Sequence, residues 1–206
     1  MEIHTYTLGA YQTNCYIVSG DGKKCVVIDP ADNGEAIYKK AKSFGYEVEA
    51  VFLTHAHFDH ILGLDKLVSL AGGVPVYLHK DEVKYLTDAY LNLSEEICGA
   101  PYTYSENLKT VCGGDSINAA GTVFSVIHTP GHTDGSVCYR SGNVIFTGDT
   151  LFAGSIGRTD FPTGNYAVLV SSLKKLKNIE EDCDIYSGHG RSTTLNHEKQ
   201  FNEYLQ

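Results

Sequence analysis

Thr54-His55-Ala56-His57-Phe58-Asp59-His60 places three imidazoles and a carboxylate within six residues, straight after the apolar run Ala50-Val51-Phe52-Leu53. Neutral imidazole nitrogens and ionised carboxylate oxygens are what a catalytic divalent metal requires, and a cluster at a strand end stays open to substrate. Three more candidate ligands stand beside glycines downstream: His132 in Pro130-Gly131-His132-Thr133, Asp149 in Gly148-Asp149-Thr150, and His189 in Gly188-His189-Gly190. Together with His55, His57, Asp59 and His60 they exceed what one ion takes from protein and suit two ions sharing a carboxylate. Two such ions about 3.5 to 4 Å apart lower the pKa of a shared water and polarise a carbonyl. The chemistry expected is hydrolysis by a metal-bridging hydroxide, with no need for a Ser-His-Asp arrangement.

Other residues fall around this set. Asp59 is a candidate acceptor for a hydrogen bond from the nucleophile. Asp29, at a strand end before Pro30, is read either as orienting a ligand histidine or as capping the turn. His4, His79, His128 and His197 lack ligand context; His128, just before the His132 loop, is expected nearest the site.

The elements that must carry these groups are legible in part. Asn14–Val18 and Cys25–Asp29 form an expected hairpin around Gly20-Asp21-Gly22. Ile37, Ala41 and Phe44 before Gly45 mark an amphipathic helix. A strand from Glu49 to Thr54 delivers the histidine cluster, and Ile61, Leu64, Leu67, Val68 and Ala71 repeat at helical spacing. His60 is therefore placed near a helix start, with the other ligands in the turn before it. Val74–His79 reads as a strand, followed by a polar, tyrosine-rich region from Lys80 to Lys109 that reads as a helix and loops. Short strands follow at Thr122–His128, Ser136–Tyr139 and Val144–Thr147, then a helix through Tyr166, Leu169, Leu173 and Leu176. A strand at Asp184–Tyr186 leads to His189. A closing helix capped by Thr194 has Phe201 and Leu205 as expected inward anchors. The hairpins are too many for a doubly wound parallel sheet. Two half-domains, each a sheet backed by helices, are expected to meet sheet against sheet within one domain spanning residues 1–206, with the strand-end loops gathered at one edge.

Composition narrows the partners. Sixteen basic against 25 acidic residues give a formal net charge of −9, which argues against a nucleic-acid partner. Nothing near Met1 resembles a signal peptide and no apolar stretch has the length of a membrane span, so a cytoplasmic protein is expected, with no membrane partner. The six cysteines (Cys15, Cys25, Cys98, Cys112, Cys138, Cys183) contain no CxxC pair and are read as reduced, Cys25 and Cys138 as core residues.

His55-x-His57-x-Asp59-His60 followed by His132, Asp149 and His189 resembles the full ligand pattern of the metallo-β-lactamase fold superfamily, over nearly the whole chain. The resemblance implies an α+β fold, a four-layer αβ/βα sandwich. It also implies that His55, His57 and His132 hold a first metal and Asp59, His60 and His189 a second, bridged by Asp149. Gln12-Thr13-Asn14-Cys15-Tyr16, Thr129-Pro130-Gly131-His132-Thr133 and Gly148-Asp149-Thr150-Leu151-Phe152 leading to Gly154-Ser155-Ile156-Gly157-Arg158-Thr159-Asp160 are similar to the glyoxalase II group. That group hydrolyses S-D-lactoylglutathione with zinc, iron or manganese. A thiolate leaves readily, which suits such a site. The expected cofactors are two divalent ions, zinc ahead of iron or manganese, and the expected partner is a small-molecule thioester; oligomeric state is not legible. The departure is C-terminal: the chain stops shortly after His189, where glyoxalase II enzymes carry a glutathione-binding helical domain, so a compact form is implied. Arg158 stands near the family's glutathione-contacting cation and is a candidate catalytic residue beside Asp59 and Asp149, against a plain ion pair with Asp160. Tyr85–Tyr104 is a candidate cleft wall. The alternatives are a persulfide dioxygenase holding one iron through His55, His132 and Asp149, and a lactone or other ester hydrolase.

Overall fold

The computed structural model describes residues 1–206. The chain runs β1 (Glu2–Leu8), β2 (Thr13–Ser19), β3 (Lys24–Ile28), α1 (Gly34–Ser43), β4 (Glu47–Phe52), α2 (Phe58–Ile61), α3 (Leu64–Leu70), β5 (Val76–His79), α4 (Val83–Thr87) and β6 (Leu108–Val111). It continues through β7 (Ser116–Ala119), β8 (Thr122–His128), β9 (Val137–Ser141), β10 (Val144–Gly148), the small ribbon β11 (Leu151–Phe152) and β12 (Ser155–Ile156), α5 (Tyr166–Lys177), β13 (Asp184–Ser187), β14 (Thr193–Thr194) and α6 (Leu195–Phe201). Six strands form one sheet in the order β1-β2-β3-β4-β5-β6, and six form a second in the order β14-β13-β10-β9-β8-β7.

Strand periodicity explains the layers. In β2, Cys15 and Ile17 face an outer core with Ile37 and Ala41 of α1 and Leu64, Leu67 and Val68 of α3. Tyr16 and Val18 face inward to the second sheet. Val51 and Leu53 divide from Ala50 and Phe52 in the same way. A strand buried on both faces reads as a continuous apolar run, which is why β2, β3 and β4 stand out in the sequence. Between the sheets Phe52 is fully buried, with its ring centroid 5.0 Å from those of Phe124 and Tyr139. On the far side Leu169, Leu173 and Leu176 of α5 and Leu195 cover Cys138, Ile145 and Ile185. Helices, sheet, sheet, helices: the chain is the expected four-layer αβ/βα sandwich.

Several expectations need correction. β1, β6 and β7 do not appear in the sequence reading, and each is an edge strand. An edge strand with one solvated face carries no apolar run; β1 alternates between exposed and half-buried positions along its length. The helix expected after the histidine cluster is two helices. Asp59 and His60 lie inside α2, and the chain breaks before α3, where the Gly63 N–H donates to the Pro30 carbonyl at 2.8 Å. Phe201 is not an inward anchor: it is 61% exposed, whereas Leu205 is buried. The buried positions of α6 are Leu195 and Glu198. The Glu198 carboxylate accepts from Thr193, the Gly154 N–H and Asn202, turning the helix so that Phe201 faces water. Cys25 and Cys138 are buried as expected, and none of the six cysteines is paired.

Removing the central ring tests the inter-sheet core: Phe52→Ala should cost about 3–5 kcal/mol in urea unfolding, because the surrounding aromatic rings cannot collapse fully into the space left.

Candidate metal centre

Parallel pairing brings the candidate ligands together. β3 and β4 run parallel in register Ile28↔Phe52, so Asp29 and the Thr54–His60 segment leave the first sheet side by side. β10 and β13 run parallel with Gly148 opposite Ser187, so Asp149 and His189 leave the second sheet side by side. The loop after β8 brings His132 between them. The segment Thr13-Asn14-Cys15-Tyr16 then locks the His189 loop: the Asn14 amide donates to the carbonyls of Ser187 and Gly190, and the Tyr16 hydroxyl to that of Ser187.

Two donor groups result. Ligand atoms of His55, His57 and His132 lie within 4.8 Å of one another, as do those of Asp59, His60 and His189. Asp149 faces both, its oxygens 3.6 Å from His132 Nε2, 3.4 Å from His60 Nε2 and 3.5 Å from His189 Nε2. All seven sequence candidates are therefore in one place, although His55 and His57 occupy a loop beyond β4, not the strand itself.

Whether this set fits metal ions is decided by its unpaired atoms. Nε2 of His55, His57 and His60 and Oδ1 of Asp149 are buried with no hydrogen-bond partner. Buried polar atoms in native proteins are nearly always satisfied, and four orphans converging on one point are what cations would complete. The opposite ring nitrogens are held in place: His60 Nδ1 lies 3.0 Å from Asp29 Oδ2, and His132 Nδ1 lies 2.7 Å from the Arg158 carbonyl oxygen. Asp29 takes the orienting role, and it also accepts from the N–H and hydroxyl of Thr54 at 2.8 and 2.7 Å.

Electrostatics separates the two groups. Burial pushes His55 and His57 well below the ordinary imidazole range and lowers His132, so these rings are neutral, the form that ligates. Burial also opposes charge on His60, but Asp59, Asp149 and Asp29 outweigh it and raise that ring. Burial works against ionisation of Asp149 and Asp59 too, yet the neighbouring histidines hold Asp149 well below the carboxylate range and Asp59 at about 2. The second group is thus a pair of ionised carboxylates drawing positive charge. Glycine is obligatory at the seam: a Cβ on Gly188 would sit 2.1 Å from Asp149 Oδ1 and 2.8 Å from His60 Cε1.

The family model described as the metallo-beta-lactamase superfamily matches residues 8–189. The chain belongs to the metallo-β-lactamase superfamily. It is a metal-dependent hydrolase on that fold, with two clusters able to hold divalent ions. It is 32% identical over 210 residues to the hydroxyacylglutathione hydrolase GloC of Haemophilus influenzae, covering 100% of this chain and 98% of that protein. A crystal structure of the BLEG-1 B3 metallo-beta-lactamase superposes with a TM-score of 0.94 at 37% identity, covering 100% of both chains. One of TTHA1623 in a di-iron-bound form superposes with a TM-score of 0.85 at 34% identity, covering 98% of this chain and 100% of that one.

Within this superfamily site, the remaining candidates separate. A cleft of about 390 Å³ opens on the donor groups between Tyr11, Leu93, Ile97, Phe152 and Phe161. The Tyr85–Tyr104 span does supply a wall, but through Leu93 and Ile97; Tyr85 and Tyr104 are buried in the outer core. Arg158 lines the rim with its guanidinium bound two-pronged to Asp160 at 2.7 and 2.6 Å and stacked over Phe161 at 4.0 Å. The ion pair exists, and the residue still borders the cleft. His128 is not at this site. It stacks on His79 with centroids 4.0 Å apart, and both line a separate cavity with Asp81, because β8 carries His128 to the wall shared with β5 before the chain turns to His132.

Sequence reasoning missed Glu82. Fully buried, its carboxyl accepts from the Ala56 N–H at 2.8 Å, between His55 and His57. It also accepts from the Thr133 hydroxyl at 2.5 Å and the Gly135 N–H at 3.1 Å, just past His132. One side chain thus ties both loops of the first donor group. In a polar run after β5, a glutamate gives no sequence signal that it turns inward. Burial lifts its carboxyl from 4.5 to about 7 against these three donors. The folded protein therefore keeps a proton that the unfolded chain releases near 4.5, and stability falls as pH rises from there through about 7. Urea unfolding at pH 5 and pH 8 should show the wild type losing about 2.5 kcal/mol more than Glu82→Gln over that interval. Parallel losses would show that Glu82 does not titrate there.

Proposed function

We propose that the chain is a single-domain, binuclear thioester hydrolase of the compact glyoxalase II type. His55, His57 and His132 would hold one ion and Asp59, His60 and His189 the other, with Asp149 between the two groups. The observation that carries the thioester reading is the cleft lining. Outside the ligand set it contains no imidazole, carboxyl or amine, and its one cation, Arg158, is engaged by Asp160. Alkoxide and amide leaving groups need a proton from a placed acid; a thiolate departs without one. The full-length similarity to the Haemophilus hydroxyacylglutathione hydrolase supports the same class, and S-D-lactoylglutathione is the first substrate to assay.

Divalent ions bound there supply Lewis acidity, polarising a carbonyl and lowering the pKa of a water. The protein supplies orientation and charge. Asp29 and the Arg158 carbonyl keep His60 and His132 turned inward. Asp59, accepting from Thr13 Oγ1 at 2.7 Å, is fixed beside His189 and can accept a hydrogen bond from the nucleophile. Phe152, Phe161 and Leu93 exclude water around the scissile bond, which strengthens every charge interaction inside. The donor set takes zinc, iron or manganese, and the di-iron relative supports double occupancy. β-Lactam hydrolysis is the second reading, favoured by the 37% identity to BLEG-1.

Purified metal-loaded protein should hydrolyse S-D-lactoylglutathione with saturation kinetics and leave nitrocefin nearly untouched; the reverse preference moves the substrate to β-lactams. Oxygen uptake with glutathione persulfide and one iron per chain would instead establish the dioxygenase alternative. Asp149→Asn should lose at least one metal per chain by elemental analysis and most of the rate, on the order of 10²-fold or more, while remaining folded by circular dichroism.

A further inference from the structure

The catalytic cleft does not end at the ligands. A second cleft of about 310 Å³ adjoins it, and the two share Tyr11, Phe58, Asp59 and Ile97. The second is bounded by the turn after β1, by α2 and by the turn at Ser94–Cys98. Its wall is apolar: Leu8, Tyr11, Ala31, Phe58, Leu62 and Ile97. Tyr11, Leu62 and Ile97 are 50%, 37% and 37% exposed. Large apolar side chains grouped in the open beside a reaction centre mark a surface that a ligand covers. Tyr11 is also fixed in place, edge-on to Phe58 at 5.0 Å, and its carbonyl lies 3.2 Å from His189 Nδ1. The apolar wall is therefore continuous with the metal centre through a residue held against a ligand.

Charge along this path is one-sided. Neither cleft contains a lysine; Asp59 and Asp149 belong to the ligand set, whose charge bound ions would offset, which leaves Asp32 in the second cleft. Outside the ligand set the one basic side chain is Arg158, already paired with Asp160. Glutathione brings two carboxylates and one ammonium. Along the second cleft its carboxylates would meet Asp32 and no unpaired basic side chain, which is unfavourable.

We infer that the substrate is a thioester bearing an uncharged, apolar arm of several methylenes, which lies in the second cleft along Tyr11, Phe58, Leu62 and Ile97. This rests on the thioester reading and specifies its substrate class. Glutathione thioesters are then accepted for their acyl–sulfur bond and not for their thiol. The arm is on either side of the sulfur, because the apolar wall recognises hydrocarbon and not its attachment.

Two substrate series separate these possibilities and test the inference on the wild-type protein. One holds N-acetylcysteamine as the thiol and lengthens the acyl group from acetyl to hexanoyl. The other holds acetyl and lengthens an uncharged alkyl thiol. In one series kcat/KM should rise about three- to fourfold per methylene, from the burial of each CH₂, so that the longest ester exceeds the shortest by on the order of 10²-fold and also exceeds S-D-lactoylglutathione. Leu62→Asp and Ile97→Asp should bring the ratio of longest to shortest ester toward one. A flat dependence in both series, or preference for S-D-lactoylglutathione over the apolar esters, overturns the apolar arm and leaves the thioester reading standing. Absence of turnover on every thioester overturns both.

Discussion

Seven polar side chains crowd one small volume, four of them buried and three half-buried, and they cannot satisfy one another. Four of their atoms have no hydrogen-bond partner, and two ionised carboxylates face rings that crowd them at 3.3 to 3.6 Å. Cations are what would complete such an arrangement. Much of the architecture follows from holding these groups together. Parallel pairs β3–β4 and β10–β13 aim two strand ends from each sheet at the same edge, and the apolar core between the sheets keeps those edges in register.

Around that constraint lies a ring of oxygens that do not touch the site's centre. Asp29 binds Thr54 and His60, the Arg158 carbonyl binds His132, and Glu82 joins the two loops that carry His55, His57 and His132. Each fixes a backbone or a ring against the pull of its neighbours. These contacts explain why a hydrolytic site drawn from four segments after strand ends can be rigid enough for catalysis, since a loop alone holds a side chain loosely. They also explain the close glycines: at Gly188 a side chain would occupy the position of Asp149 and His60.

The ligand set and the cleft answer different questions. The first specifies metal binding, because imidazole nitrogens and carboxylate oxygens left without partners serve cations. The second specifies what is held, and here the chain is sparing. It offers apolar surface, and its one lining arginine is already paired with Asp160.

All seven candidate ligands were legible in the sequence, because a metal site needs particular atoms and tolerates few substitutes; four of them fall within six residues. The two central strands before them were legible for a related reason, being apolar on both faces. The edge strands β1, β6 and β7 were not, since one solvated face removes the run that identifies a strand. Phe201 was misjudged because helical spacing gives a face but not which way the tail turns, and Glu198, satisfied by three distant donors, decided that. Glu82 was illegible because its partners lie about 25 and 50 residues away in the chain. His128 was drawn toward the site by sequence proximity, whereas β8 carries it to His79. The sequence by itself determined the ligand chemistry, the sandwich and the parts of the chain that must meet. Only the tertiary structure decided which residues orient those ligands and that the cleft beside them is apolar, because both depend on contacts between segments whose spacing in the chain carries no periodic signal.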